Sequence, residues 1–266
     1  NLSAKSLMNG LVAADVGNSS IKLGWFTSLD AACPTPEREA TFTADQIGSP
    51  EWISCVTTNE SISSTWVTAS VNKTTAAKLH QWVTSQQQPC ISLTHESLDL
   101  ETAVVLPERV GIDRLLAAVA VNQLRPPESA AIIVDSGTAI TVDAVDVSGV
   151  FQGGAILPGI HLSAKFLFDG TDQLPLLEIP ETGTTHPPSI GKDTSKAITS
   201  GLYWGTLGAV KELIASQAES LHCKSASIFV SGGNLPWVDL LGGQVQRHAS
   251  LVLSGIAIAA KGMFKG

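Results

Sequence analysis

The chain has 266 residues, of which 44% are hydrophobic and 15% charged, and its formal net charge is −8. This composition favours a compact α/β enzyme, with two modest domains or one large one, over a disordered or coiled-coil protein. The acidic balance and the scattered Lys and Arg residues argue against nucleic acid as a partner, because binding to its backbone depends on clustered cations.

The cysteines and the apolar runs bear on compartment and metal content. Cys33, Cys55, Cys90 and Cys223 are isolated in the sequence, so neither a zinc knuckle nor a dense disulfide framework is expected. The six histidines lack the His-Glu-x-x-His spacing of a zinc protease. No apolar run reaches membrane length, and residues 1–10 lack the order of a secretory signal. We therefore expect a cytoplasmic protein with reduced thiols and no membrane partner.

The first half of the chain opens with a predicted β-hairpin. An apolar strand at 11–15 ends in Asp15, a turn signal follows at Gly17-Asn18, and 21–26 alternates like a return strand. The further predicted elements are strands at 52–56, 65–71 and 90–93, a helix at 74–86, and the strongest helix of the chain at 111–124.

The second half restarts the same pattern. An apolar strand at 130–135 ends in Asp135, Ser136-Gly137 is a turn, and 138–145 is a return strand. Asp15 and Asp135 each follow an apolar strand and each precede a glycine by two residues, which indicates a weak internal duplication. The remaining predicted elements are a strand at 151–157, helices at 159–168 and 194–221, a Pro- and Thr-rich loop at 175–188, a strand at 227–230 and a helix at 256–264.

The first hairpin has the composition of a phosphate site. Asp15 reaches the sheet edge where α/β proteins bind ligands, and Gly17 allows close approach of the backbone. An aspartate would repel phosphate oxygens unless a cation intervenes, so the motif implies Mg²⁺, held through water. The candidate ATP-binding residues of this segment are Asp15, Val16, Gly17, Asn18, Ser19, Ser20, Ile21 and Lys22. The alternative is an ordinary Asx-type hairpin turn.

The second hairpin, 135–139, repeats the acid, the glycine and a hydroxyl residue, here Thr138. Two such hairpins facing each other can hold the β- and γ-phosphates of a nucleoside triphosphate from opposite sides. The alternative is that both are plain turns, which are common. Glycine-rich turns at 151–159, before a helix, and at 231–234, after a strand, suit anion or nucleoside contact, although close packing explains them equally well.

The segment Gly111-Ile112-Asp113-Arg114 opens the strongest predicted helix. Asp113 lies in the first turn, where the helix dipole favours a carboxylate, so it is either a helix-start acid or a base for an attacking hydroxyl group. Arg114 is either a solvated cation or a ligand for an anionic substrate. Phosphoryl transfer requires positioning and charge neutralisation, which these residue types supply.

Taken in order, these motifs resemble the type III pantothenate kinase family over residues 11 to about 262. The segments that carry the resemblance are 15–22 (first phosphate motif), 111–114 (pantothenate motif), 133–141 (second phosphate motif), 153–159 and 194–201. The resemblance implies that Asp113 is the catalytic base, that Asp135 holds a monovalent cation (K⁺ or NH₄⁺), and that Thr138 contacts ATP. It also implies that pantothenate contacts Gly111, Ile112, Asp113 and Arg114, together with Thr194 of the neighbouring subunit.

The family fold is of the actin, Hsp70 and sugar-kinase type, with two ribonuclease-H-like α/β domains and a ligand cleft between them. We expect domains at 1–118 and 119–254 and a closing helix at 255–266. The resemblance further implies a homodimer that phosphorylates pantothenate with ATP to 4'-phosphopantothenate, the first step of coenzyme A biosynthesis.

The chain departs from the family pattern at three positions. Val104 stands where the family often has a substrate-contacting Tyr, Asp193 where it usually has Asn, and Ser19 where it commonly has Thr. Val104 leaves open a kinase for another small hydroxylated acid. A non-enzymatic accessory factor for transcription is the other alternative, against which the intact 111–114 motif and the acidic charge both argue.

Overall fold

The computed structural model describes residues 10–57, 64–178, 186–223, 226–233 and 237–265, with no side-chain description for 264 and 265. It divides into two compact units. Unit 1 contains the described residues up to Leu124 and those from Ser250 onward, and unit 2 contains those from Arg125 to Ala249. The predictions for residues 1–9, for 179–185 and for Asn234 fall outside the described residues.

Unit 1 is built on a five-stranded sheet in the order β3-β2-β1-β4-β5. The strands are β1 (Leu11–Val16), β2 (Ile21–Phe26), β3 (Arg38–Phe42), β4 (Thr65–Ser70) and β5 (Cys90–Ser92). The helices are α1 (Pro50–Val56), α2 (Lys73–Ser85), α3 (Ile112–Leu124) and α6 (Leu251–Lys265). Strands β1, β2 and β3 pair antiparallel, whereas β4 and β5 run parallel to β1.

Unit 2 repeats this topology. Its strands are β6 (Ala131–Ser136), β7 (Ala139–Val145), β8 (Phe151–Pro158), β9 (Ser227–Gly232) and β10 (Val245–Arg247), and its helices are α4 (Ile160–Asp169) and α5 (Thr194–Ser220). The sheet order β8-β7-β6-β9-β10 matches the order in unit 1, with the same strand directions. The predicted α/β fold of two related halves is therefore confirmed, and the hairpins at Asp15 and Asp135 occupy equivalent places.

Each sheet carries its own core. In unit 1, alternate β1 residues such as Val12 and Ala14 pack in one cluster with Trp52 of α1 and Leu79 of α2. In unit 2, β6 and β7 pack against α5, with Val210 and other α5 side chains fully or nearly buried. These apolar layers fix the strand ends from which the polar motifs project.

Helix α6 returns to unit 1 after the whole of unit 2. It packs on α3, where Gly255 lies so close to the backbone of Leu116 that no Cβ atom would fit. The predicted boundaries at 118/119 and 254/255 fall inside α3 and α6, whereas the structure keeps both helices whole within unit 1. No helix in the described part of the chain is long and apolar enough to cross a membrane.

One predicted strand is wrong. Residues 52–56 form most of helix α1 instead, because Ser49 caps the helix through a bond from Trp52 N to Ser49 Oγ (3.2 Å) and Pro50 occupies its first turn. Strands β3 and β10 were not predicted, since β3 has an alternating polar face and β10 has only three residues. The other predicted helices and strands are present within a few residues of their expected bounds, except that α6 begins at Leu251 and not at 256.

Candidate functional site

The first hairpin lies at the carboxyl end of strand β1. Asp15 pairs in register with Lys22, and the turn closes through a bond from Gly17 N to Ser20 O of 2.9 Å. Asp15 and Lys22 are half-buried, whereas Asn18 and Ser19 are exposed at the tip. The turn therefore presents backbone N–H groups and hydroxyl groups to solvent beside a carboxylate.

The neighbouring parallel strand β4 ends next to this hairpin. Val71 N donates to Val16 O (3.1 Å), and Ser70 Oγ lies 3.3 Å from the same oxygen. Asn72 then caps α2 by accepting from Thr75 N (3.1 Å). Two strand ends and one helix start thus meet at one edge of the sheet, the usual ligand edge of α/β folds.

The Gly111–Arg114 motif reaches the same edge. A Cβ atom built on Gly111 would lie 3.5 Å from Cγ1 of Val71. Val71 is the residue whose backbone N–H donates a hydrogen bond to Val16 O. Two motifs that are far apart in the sequence are therefore brought together within unit 1.

Asp113 has a defined orientation at the start of α3. Arg114 N donates to Asp113 Oδ1 (2.9 Å) and lies 3.1 Å from Gly111 O, so one carboxylate oxygen is fixed by the helix backbone. Asp113 and Arg114 are half-buried, whereas the side chain of Ile112 is 5% exposed and points into the core. Ile112 can therefore contact a ligand only through its backbone.

Sequence reasoning missed His95, which follows β5. Its Nε2 lies 2.8 Å from Val110 O, immediately before Gly111. Because a carbonyl oxygen cannot donate, the ring must carry its proton on Nε2. A lone histidine outside any motif gives no sequence signal, so only the fold reveals this contact.

The second hairpin has the same position in unit 2. Asp135 pairs with Thr141 across the hairpin and with Ser231 of the parallel strand β9. Gly137 N donates to Ala139 O (2.9 Å), which leaves Thr138 exposed at the tip. As in unit 1, the acid is half-buried at the carboxyl end of the central strand.

Two glycine turns pack on this hairpin. Gly159, the N-cap of α4, donates from its N to Thr138 O (2.9 Å), and a Cβ there would lie 2.6 Å from that oxygen. Gly232 has a φ of +89°, and a Cβ there would lie 2.6 Å from Oδ1 of Asp135. Gly233 N donates to Ser136 O (2.7 Å). The structure thus gathers the described parts of the 151–159 and 231–234 motifs around Asp135 and Thr138.

Thr194 is the first residue of α5. Its neighbour Asp193 caps the helix by accepting from Lys196 N (2.8 Å) and pairs with Lys196 Nζ (2.9 Å). Hydrogen bonds from the Lys196 ammonium and backbone lower the pKa of the Asp193 carboxyl. Thr194 lines a cavity of about 580 Å³ with Leu167 of α4 and Ile198 of α5.

Residues 186–191, here called the α5 strap, lead into Thr194. Trp204 Nε1 donates to Pro187 O (3.1 Å), and Ser200 Oγ donates to Ser189 O (3.0 Å). These bonds hold the strap along α5 and so fix the start of the helix.

Carboxylates are the side chains of this site that could hold a metal ion. Among the described residues, no three His, Cys, Asp or Glu side chains come together as a metal cluster. Mg²⁺ does not require such a cluster, because it keeps several waters and commonly binds one or two carboxylates together with substrate phosphates. The half-buried carboxylate of Asp15 fits that mode of binding.

The comparisons with known proteins agree with these motifs. The family model described as type III pantothenate kinase matches residues 11–216. A relative from Rhodopirellula baltica, named type III pantothenate kinase, is 34% identical over 245 residues, which cover 84% of this chain and 87% of that protein.

Solved structures support the fold alone. One from Campylobacter jejuni, described as a Baf family transcriptional activator, has a TM-score of 0.62 at 18% identity and covers 96% of this chain and 100% of that chain. An archaeal actin homologue has a TM-score of 0.50 at 10% identity and covers 96% of this chain and 99% of that chain. The actin-type fold is thus confirmed, and, by the family match over residues 11–216, the chain belongs to the type III pantothenate kinase family.

Proposed function

We propose that this protein phosphorylates the primary hydroxyl group of pantothenate with ATP to give 4'-phosphopantothenate, as a homodimer in the cytoplasm. Membership of the family supports this activity. The observation that carries it is the juxtaposition in unit 1 of the 111–114 motif and the first hairpin, bridged by Val71. A hydroxyl-activating carboxylate next to a phosphate-binding turn is what in-line transfer of a phosphoryl group requires.

Asp113 acts as the base in this proposal. The Arg114 amide holds one carboxylate oxygen, which orients the whole carboxylate toward the acceptor hydroxyl group. The hydroxyl proton passes to Asp113 as the oxygen attacks the γ-phosphorus, and ADP leaves. Gly111 and Ile112 contribute backbone groups to the substrate, and the Arg114 guanidinium pairs with the pantothenate carboxylate.

The first hairpin binds the phosphates. Asn18, Ser19 and Ser20 donate hydrogen bonds, Lys22 adds a positive charge, and the buried Val16 and Ile21 take part only through their backbone. Asp15 would hold Mg²⁺ through water. When bound, that ion neutralises charge on the phosphate oxygens.

The second hairpin contributes separately from unit 2. Thr138 is exposed beside the start of α4, whose first N–H groups have no partner within the helix and suit an anion. Asp135 would hold a monovalent cation, K⁺ or NH₄⁺, which adds positive charge near the nucleotide. Gly232 supports this role, because a Cβ atom there would lie 2.6 Å from Oδ1 of Asp135, so a larger residue would displace the carboxylate.

The dimer contact in this proposal lies on unit 2, where several large apolar side chains are exposed. They include Ile156 (63%), Phe166 (59%) and Ile190 (76%). A second copy of the chain would cover exposed apolar side chains of this kind and supply Thr194 to the first copy's substrate. Phe166→Glu should shift light-scattering mass from dimer to monomer and abolish turnover, whereas Val147→Glu, at another exposed apolar residue of unit 2, should change neither.

A coupled assay for ADP release tests the activity directly. Wild-type protein should turn over pantothenate in the presence of Mg²⁺ and more rapidly with K⁺ than without it. Asp113→Asn should reduce kcat by about 10²- to 10⁴-fold while ATP binding, measured by calorimetry, persists. Near-normal turnover by this variant would remove Asp113 from the role of base.

Two other functions remain as outcomes of the same assay. Turnover of another small hydroxy acid but not pantothenate would favour a different kinase, consistent with Val104. ATP binding without turnover of any acid would favour a non-enzymatic regulator. The fold similarity to the Campylobacter jejuni protein does not decide between them, because 18% identity supports the fold alone.

A further inference from the structure

The loop that precedes the 111–114 motif is held at both sides. On one side, Gly111 packs near Val71, which follows β4: a Cβ atom built on Gly111 would lie 3.5 Å from Cγ1 of Val71. On the other side, His95 Nε2 donates to Val110 O at 2.8 Å. The sequence separation between His95 and Val110 makes this a tertiary contact that a local turn cannot replace.

His95 is itself well anchored. It opens a 3₁₀ turn after β5, in which Thr94 N donates to Ser97 Oγ (3.0 Å) and Ser97 N donates to Thr94 O (3.0 Å). The preceding residue, Leu93, donates from its N to Thr68 O of β4 (2.8 Å). The imidazole is therefore fixed to the sheet through a short, bonded segment.

The position of Val110 determines the start of α3. Gly111 O accepts from Arg114 N (3.1 Å), and the same amide holds Oδ1 of Asp113. A displacement of Val110 would move Gly111, and with it the Arg114 amide and the Asp113 carboxylate.

We propose that His95 is a positioning residue for Asp113, acting through the Val110 carbonyl and the Gly111 turn. The role of Asp113 as base rests on the proposed function, whereas the hydrogen bond and its effect on the loop do not. His95 touches neither substrate nor phosphate in this proposal. Its Nε2–H holds the loop so that Asp113 meets the acceptor hydroxyl at reacting distance.

The test compares three variants in the full-length protein. His95→Ala should reduce kcat roughly ten-fold or more, with the KM for ATP unchanged, because small displacements of a catalytic group cost one to two orders of magnitude. His95→Gln, whose Nε2–H₂ reaches a similar position, should recover most of this loss. His80→Ala, on the exposed surface of α2, should behave as wild type.

A second readout does not depend on activity. Hydrogen–deuterium exchange in residues 106–116 should rise in His95→Ala but not in His95→Gln or His80→Ala, and nitrogen NMR of the wild type should show His95 protonated on Nε2. If His95→Ala does not fold, the kcat and exchange of His95→Gln and the tautomer seen by NMR still test the proposal. An unchanged kcat in His95→Ala, a loss in His95→Gln equal to that in His95→Ala, or an Nδ1–H tautomer would overturn the proposal. A wild type without pantothenate turnover would overturn the proposed function, while exchange and tautomer would still test the His95 contact.

Discussion

Gly111 and the carboxylate of Asp113 occupy adjoining space: a Cβ atom on Gly111 would collide with Oδ1 of Asp113. The glycine therefore serves the orientation of Asp113 and not a special backbone angle, since its φ lies outside the left-handed region. A residue with a side chain could adopt the same backbone, but only with a different Asp113 rotamer.

Gly111→Ala should lower kcat by about ten- to a hundred-fold, because the displaced carboxylate no longer meets the acceptor hydroxyl. The free energy of unfolding should change little. Steady-state kinetics with denaturant unfolding measures both. Gly208→Ala makes the same chemical change within α5, where the new Cβ atom would meet nothing within 4 Å outside its own helix, and should leave kcat unaltered. Equal kcat values for the two variants would contradict the prediction.

Gly232→Ala should destabilise the protein and weaken its response to K⁺. The backbone has a φ of +89°, and the new Cβ would press on Oδ1 of Asp135. The free energy of unfolding should fall by roughly 1–3 kcal/mol, as for other residues in strained backbone. Gly233→Ala is the matched control, since its Cβ would lie 3.6 Å from Ser136 O, an ordinary contact. A K⁺ response that is the same in both variants would argue against Asp135 as the cation ligand.

The Asp193 carboxylate should make the free energy of unfolding depend on pH in the acid range. Its hydrogen bonds with Lys196 lower its folded pKa below the usual value of 3.8, so its contribution is present above that value and is lost as the pH falls through the folded pKa. Asp193→Asn keeps the cap but loses the ion pair. The variant should be less stable than wild type at pH 7, and the difference should vanish in acid; a difference that persists in acid would contradict this. Its KM for pantothenate should stay near wild type, since the carboxylate is engaged by Lys196.

Cys90 should be slow to alkylate in the folded protein. Burial raises the pKa of its thiol from 9.0 to about 11, so little thiolate is present at pH 8.5. Iodoacetamide labelling followed by mass spectrometry should show Cys90 modified far more slowly in the native chain than in the chain unfolded in urea. The neutral thiol stabilises the fold below about pH 9, and this contribution is lost as the pH rises through 11. Equal labelling rates in the two states would refute the burial argument.

The sequence predicted the parts of the fold and site that depend on local patterns. The apolar strands that end in Asp15 and Asp135 are each followed by a glycine turn, and such a pattern can be recognised from neighbouring residues alone. Both predicted hairpins are present. The segment 52–56 was wrongly predicted as a strand because Trp, Ile and Val favour strands when their neighbours are not taken into account. Ser49 and Pro50, a helix cap and a first-turn proline, carried the correct signal.

Contacts between distant segments could not be predicted in this way. Nothing near His95 in the sequence indicates that its ring meets Val110, since that pairing depends on how β5 and the following loop are arranged in the fold. The approach of Gly232 to Asp135 likewise follows from the register of β9 beside β6. Family motifs predicted which groups react, and tertiary structure was needed to find the residues that hold those groups in place.

The contact between Gly255 and Leu116 has a consequence for biosynthesis. Helix α6 completes unit 1, yet it follows unit 2 in the chain, so a ribosome must finish residues 125–249 before α6 can reach α3. During that interval the face of α3 that receives α6 is uncovered, and chaperones can bind it. Unit 2 is one continuous segment and can fold as it leaves the ribosome. Unit 1, which carries Asp113, is made of two segments and can complete its fold only after α6 has been synthesised.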